Sequence, residues 1–176
     1  NQIRQVFVSG LLIIYVLFSG TWQQIDTAIA VPLILSGFIG IFLGDTILFV
    51  TLNRVGPRRS GILFAMNAPI AAVLGWLLLD ETLTVSAVLG IVLTILGVSL
   101  AIMFNRRVQS HPWETVKGSL LVGVGFGLMA ALGQAVGSII VRPVMEAGVD
   151  PFLASLFRVA TAACCLTLVS FLPLAE

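Results

Sequence analysis

Charged side chains are scarce in this sequence. Asp, Glu, Lys and Arg together make up 10% of its 176 residues, whereas soluble domains carry about 25%. The formal net charge of +1 provides no basic surface for a nucleic acid, so no nucleic-acid partner is expected. Hydrophobic residues make up 59%, which predicts a polytopic membrane protein. Its apolar runs have about the length of helices that cross a bilayer, so we expect an all-α bundle.

Residues that bind metals or carry redox chemistry are also few. The one histidine is His111, and the two cysteines, Cys164 and Cys165, are adjacent in an apolar run. Neighbouring side chains on a helix point about 100° apart, so a disulfide between them is not expected. The sequence contains no HExxH motif. We therefore predict no metal site, no cofactor and no catalytic residue.

Long apolar runs, by contrast, are plentiful, and six of them reach helical length. They cover residues 5–19, 28–52, 60–79, 83–104, 118–141 and 152–172. A helix that crosses a bilayer needs about 20 residues, so the first run is short and we expect its start to be frayed or missing. The chain begins with Asn1 and ends where a helix ends, which indicates a piece of a longer protein.

The longest hydrophilic stretch marks the expected domain boundary. It covers residues 105–117 and contains no apolar run. We predict four helices in residues 1–105, a connector in residues 106–117 and two helices in residues 118–176. The six helices form part of a membrane bundle.

Two polar side chains interrupt apolar helices on either side of a tight turn. Asp45 and Asn67 each lie eleven residues from Gly56. In an antiparallel pair of helices, this equal spacing places both groups about 16 Å from the turn. An ionisable group at that depth is costly and suggests a functional site. Two interpretations stay open for Asp45: it contacts a proton or a substrate, or it is a hydrogen-bonded packing acid.

Other polar or helix-breaking residues in the apolar runs are candidates with weaker support. Pro69 removes a backbone hydrogen bond and predicts a kink in the third helix, whose freed carbonyls Asn67 can bridge. Asn67 can also bridge to Asp45 or contact the substrate, and Gln134 in the fifth helix is a candidate cavity residue for substrate binding or proton coupling. Arg4 and Arg158 each open an uncharged run, and each either reaches the lipid headgroups or attracts an anionic substrate.

A family resemblance rests mainly on residues 53–100. There a turn leads into a helix with a central proline and a terminal acid, followed by a helix with spaced glycines. The positions that carry this pattern are Gly56, Pro57, Pro69, Glu81, Gly90 and Gly97. A second match is the helix start at residues 150–158, which includes Arg158. In these features the chain resembles the EamA-type transporters of the drug/metabolite transporter superfamily.

The resemblance implies a fold of ten helices in two inverted five-helix repeats. This chain would supply helices two to seven, with most of the first repeat in residues 1–105 and the start of the second in residues 118–176. Its partners would be a small-molecule substrate, membrane lipid and the missing helices of the same full-length chain. The implied function is transport of a small metabolite or drug across the cell (inner or plasma) membrane by alternating access, with a central cavity between the repeats. Glu81 looks like a helix-end residue, because an acid there suits the dipole of the following helix.

The orientation of the helices in the membrane stays open. Basic residues number seven on one side of the predicted spans and two on the other. The positive-inside rule places the side with seven, which includes the turn at Gly56, in the cytoplasm. The family pattern, with both termini in the cytoplasm, implies the opposite orientation.

Two other classes of function compete with transport. An intramembrane aspartyl protease of the GxGD type shares the Gly44-Asp45 pair, but Phe42 stands where the first glycine belongs, and no second aspartate lies inside an apolar run. A purely structural bundle is disfavoured by two polar groups at one depth. We therefore expect a transporter rather than an enzyme.

Overall fold

The computed structural model describes residues 2–104 and 118–171, and all regular structure in these residues is helical. Six of the described helices are long and apolar enough to cross a membrane. The predicted fold class, a polytopic helical bundle, is thereby confirmed. The predicted connector, with His111, lies outside the described residues.

Eight α-helices make up the six spans, because two of the spans change their helical form along their length. In chain order they are α1 (Gln2–Ser19), α2 (Thr27–Ser36), α3 (Gly44–Val55), α4 (Pro57–Phe64), α5 (Asn67–Leu78), α6 (Val85–Phe104), α7 (Leu120–Glu146) and α8 (Pro151–Phe171). A π-helical segment, Gly37–Leu43, joins α2 to α3 without a break. A short 3₁₀ turn, Thr21–Gln24, follows α1.

Several helix ends differ from the prediction. The first helix starts at Gln2 rather than at residue 5 and has 18 residues. The helix predicted to end at residue 141 continues through Pro143 to Glu146, because a membrane helix tolerates a proline when neighbouring groups satisfy the backbone. Thr84 caps the start of α6, because its hydroxyl accepts a hydrogen bond from the Ala87 amide at 3.3 Å.

The described residues pack as two compact units. The first unit comprises Asn1–Phe42 with Gly137–Glu176, and the second comprises Leu43–Val136. Both boundaries fall inside long spans, one after the sixth residue of the π-helical segment and one within α7. The predicted division into residues 1–105 and 118–176 concerns sequence repeats rather than packing, and it stays a prediction.

The first unit has an apolar core between α1, α2, α8 and the end of α7. Its buried members are Val16, Leu33, Val144, Val149, Leu153 and Ala154. A proline and an aspartate together fix the start of α8. Pro151 occupies the first position of the helix. The Asp150 carboxylate accepts hydrogen bonds from the amides of Phe152 (2.9 Å) and Leu153 (3.0 Å). This cap satisfies amides that the helix itself leaves without partners.

The second unit depends on close contact between α7 and the helices around Gly56. A Cβ atom added at Gly123 would collide with the side chain of Val55, and one at Gly127 would lie 2.7 Å from Leu63. Glycines spaced four apart on one helix face permit this approach, and in lipid such packing is a main source of helix association.

Candidate functional site

The candidate site begins at a turn of one residue, Gly56. Its φ of 85° and ψ of 164° lie in a region that only glycine adopts without strain. The Gly56 amide donates to the Leu52 carbonyl at 3.0 Å and so ends α3. Pro57 occupies the first position of α4, where its missing N–H is not needed. The turn therefore reverses the chain within one residue and sets α3 beside α4.

The basic residues around this turn are not simply solvated. Arg59 is buried, with an exposed fraction of 8%, although it stands in the first turn of α4. The Arg54 guanidinium lies 5.1 Å from the centre of the Phe126 ring on α7, at a cation–π distance. Within the second unit, Arg54 thus contacts an aromatic ring and Arg59 is buried.

The third span is interrupted in its middle. α4 ends at Phe64, a turn follows at Ala65 and Met66, and α5 starts at Asn67. The Met66 amide donates to the Leu63 carbonyl at 3.1 Å, which is a tighter pairing than in an α-helix. A proline ring collides with the carbonyl four residues earlier, and for Pro69 that carbonyl belongs to Ala65. The interruption thus lies at the carbonyl with which the Pro69 ring collides. The third helix, which the sequence predicted to be continuous, is instead two helices, α4 and α5.

A small cavity lies beside this interruption. Its volume is about 200 Å³, and it is enclosed by residues of α4, α6 and α7 together with Met66 of the turn. The lining is apolar apart from the side chain of Ser99.

Asp45 stands at the start of α3, directly after the π-helical segment. It is the second residue of the helix, and its side chain is half-buried. A π-helix pairs each residue with the fifth along the chain rather than the fourth, and such segments are frequent at functional sites. The segment was not predicted from the sequence, although its two glycines, Gly37 and Gly40, were visible in it.

The three predicted substrate or proton contacts all belong to the second unit. Asp45, Asn67 and Gln134 are each half-buried, and each lies in a membrane span. Asp45 and Gln134 also interact with other residues. The meeting of the Asp45 carboxylate and the Asn67 amide at one depth, and the contact of any of the three with a substrate, stay predictions.

The two predicted arginines at helix starts have different surroundings. Arg4 on α1 is exposed, whereas Arg158 on α8 is half-buried. Glu81 precedes α6, in a loop where Asp80 has a positive φ of 53°. No group of three or more His, Cys, Asp or Glu residues that would hold a metal is found between residues 2 and 104 or 118 and 171.

Close backbone contacts join three helices of the first unit. A Cβ atom at Gly37 would lie 2.5 Å from the Arg158 carbonyl oxygen on α8, and one at Gly137 would lie 2.7 Å from the Gly40 Cα. The Ser36 hydroxyl donates to the Gly137 carbonyl at 2.6 Å. Gly37, Gly40 and Gly137 therefore allow these helices to pack closely.

The fold and these features together indicate a class of membrane protein. A multi-pass helical protein with an interrupted span, and a polar residue, Asn67, at the interruption, has features of membrane transporters. The comparisons narrow this class. Residues 2–103, more than half of the chain, match the EamA-like transporter family. The chain belongs to the EamA-like transporter family, as its resemblance at Gly56-Pro57, Pro69 and Glu81 predicts.

A relative from Bacillus subtilis (strain 168) carries the description uncharacterized transporter YyaM. The two sequences are 32% identical over 127 residues, which is 70% of this chain and 42% of the relative. The chain thus spans less than half the length of that protein. No solved structure matches the chain.

Proposed function

We propose that the full-length protein transports a small metabolite or drug across the cell membrane by alternating access, through a central cavity between two repeats. The observation that supports this most directly is the interrupted third span. Asn67 begins α5 at the interruption, and an apolar cavity adjoins the same turn. Half-helices in transporters present unpaired backbone groups to substrates at mid-membrane.

Asp45 is proposed to couple transport to a proton or to contact the substrate. It lies in a membrane span, where an ionisable side chain is costly and marks a functional site by default. A carboxylate that gains and loses a proton during the cycle would link solute movement to the proton gradient. Asn67 and Gln134 would supply neutral hydrogen bonds to the solute.

The test is flux in proteoliposomes that contain the full-length protein. A panel of metabolites is first screened by melting temperature to find solutes that stabilise the protein, and uptake of those solutes is then measured. We expect Asp45→Asn to abolish proton-driven uptake, because an amide cannot gain and lose the coupling proton.

Asp80→Asn is the matched control for this variant. Asp80 is exposed in a loop with φ of 53°, a conformation that asparagine tolerates. Uptake by Asp80→Asn should equal uptake by the unsubstituted protein. Uptake that persists in Asp45→Asn at full rate would exclude Asp45 from the mechanism, and a protein that moves none of the solutes that stabilise it would refute the transport proposal.

A further inference from the structure

Arg158 is a cation inside a membrane span. It is the eighth residue of α8, so it lies about 10 Å along the axis from the first residue of the helix. Charged side chains at such positions are costly, face the interior of a bundle and mark paths for ions or substrates. Arg158 is half-buried, unlike Arg4, which is exposed near the start of α1.

Three small residues of the first unit lie close to the backbone of Arg158 and carry no charge. Ala154 and Ala162 lie one turn away on the same face of α8 and are 3% and 0% exposed. Across from them, Gly37 approaches the Arg158 backbone so closely that a Cβ atom would collide with it. These three residues have no polar side-chain atom, so none of them can pair with the guanidinium.

The guanidinium is also incompletely satisfied. Its Nε atom is buried and has no hydrogen-bond partner within residues 2–104 and 118–171. The hydroxyl proton of Thr161, three residues along α8, goes to the Phe157 carbonyl at 2.7 Å. A guanidinium carries five N–H donors and no acceptor, and a buried charge of this kind is stable only when it is paired.

The described acidic residues of the first unit stand at the ends of helices. Asp26 and Asp150 cap the starts of α2 and α8 by accepting backbone hydrogen bonds, and Glu146 is the last residue of α7 and is exposed. Each of these carboxylates therefore lies at the edge of a span, whereas Arg158 lies within one.

From this arrangement we propose that Arg158 binds the anionic group of the transported solute, a carboxylate or a phosphate. Two oxygens of such a group match the forked N–H donors of a guanidinium and would neutralise its charge within the span. The inference rests on the proposed transport function and assigns its solute to the anions. A lipid phosphate has the same chemistry, so the experiment separates a dissolved anion from a lipid headgroup.

The experiment measures the melting temperature of the full-length protein in phosphatidylcholine nanodiscs. The probes are benzoate, succinate and adenosine monophosphate, each beside an uncharged counterpart: methyl benzoate, dimethyl succinate and adenosine. We expect at least one anion, but not its counterpart, to raise the melting temperature. Arg158→Gln should raise the concentration needed for half of this shift by about 10- to 100-fold, since a hydrogen bond to a charged group contributes that factor.

Two further variants make the result specific. Arg158→Lys keeps the charge and loses the fork, so it should need an intermediate concentration; it also carries the test if Arg158→Gln does not fold. Arg58→Gln removes an exposed arginine at the start of α4 and should behave as the unsubstituted protein. The proposal is overturned if no anion acts, if the uncharged counterparts act equally, or if both Arg158 variants respond normally.

A second arm uses nanodiscs that contain phosphatidylglycerol. Stabilisation by this lipid that depends on Arg158, with no effect of the dissolved anions, would show a headgroup contact and overturn the proposal. Flux separates this inference from the proposed function. Uptake of a neutral solute that Arg158→Gln leaves intact refutes the inference alone, whereas anion binding through Arg158 without any uptake refutes transport and leaves Arg158 as an anion site only.

Discussion

Gly37 holds α8 at backbone contact with the π-helical segment. Replacing it with alanine would place a Cβ atom 2.5 Å from the Arg158 carbonyl oxygen, and backbone cannot move aside as a flexible side chain can. We expect Gly37→Ala to destabilise the protein by about 1–3 kcal/mol, the usual range for overpacking, measured as a lower melting temperature in detergent.

The control for this substitution is Gly90→Ala. Gly90 lies within α6, and a Cβ atom there would meet no heavy atom of the described residues within 4 Å. Alanine also has the higher helix propensity, by about 1 kcal/mol. The melting temperature of Gly90→Ala should therefore equal that of the unsubstituted protein or be slightly higher. Equal losses in both variants would show that the loss does not come from the contact with Arg158.

Gly56 is required for its backbone conformation rather than for space. Its φ of 85° combined with ψ of 164° is accessible only to glycine, and other residues pay about 1–3 kcal/mol there. We expect Gly56→Asn to lower the free energy of unfolding by that amount. Gly20→Asn is the matched control, because Gly20 has φ of 71° and ψ of 6°, a left-handed conformation that asparagine adopts. Similar losses at both positions would contradict this explanation.

At the scale of the element, the interruption at Ala65 and Met66 is attributed to Pro69. In Pro69→Ala the ring no longer opposes the Ala65 carbonyl, and residue 69 regains an amide that can donate to it. We expect slower hydrogen exchange around residues 65–70 and reduced uptake in proteoliposomes. Pro143→Ala serves as the control, because α7 runs through Pro143 without interruption. Unchanged exchange in Pro69→Ala would assign the interruption to packing instead.

Local chemistry made some of these elements predictable. Gly56-Pro57 encodes its own turn, the Thr84 hydroxyl caps its own helix, and 20-residue apolar runs encode spans wherever they occur. The family followed from the same local features. Each of these signals acts through residues that are close together in the sequence, so no knowledge of the packing was needed.

Other elements depend on contacts between distant parts of the chain. An α-helix and a π-helix differ by one residue in their hydrogen-bond spacing, and the π form of Gly37–Leu43 coincides with close contacts to Gly137 and Arg158. The burial of Arg59 likewise depends on tertiary packing. Pro69 predicted a distortion of the third helix. The start of a new helix at Asn67, however, depends on how the two halves of this span pack within the second unit.

At the scale of the whole molecule, the direction of insertion can be measured. The turn at Gly56 and the loop at Asp80 lie at opposite ends of one span, Pro57–Leu78. We make Arg58→Cys and Glu81→Cys separately, in a protein whose Cys164 and Cys165 are replaced by alanine. We expect the two new cysteines to be labelled from opposite sides of the membrane in intact cells. The basic residues near Gly56 favour the cytoplasm for Arg58. Labelling of both positions from one side would contradict the third span.

The π-helical segment has a consequence for anyone who maps this protein by scanning substitutions. A helical wheel advances by about 100° per residue, and that phase is lost between residues 37 and 43. Periodic patterns of tolerance measured before Gly37 cannot be extrapolated to Asp45; the count has to restart at Gly44.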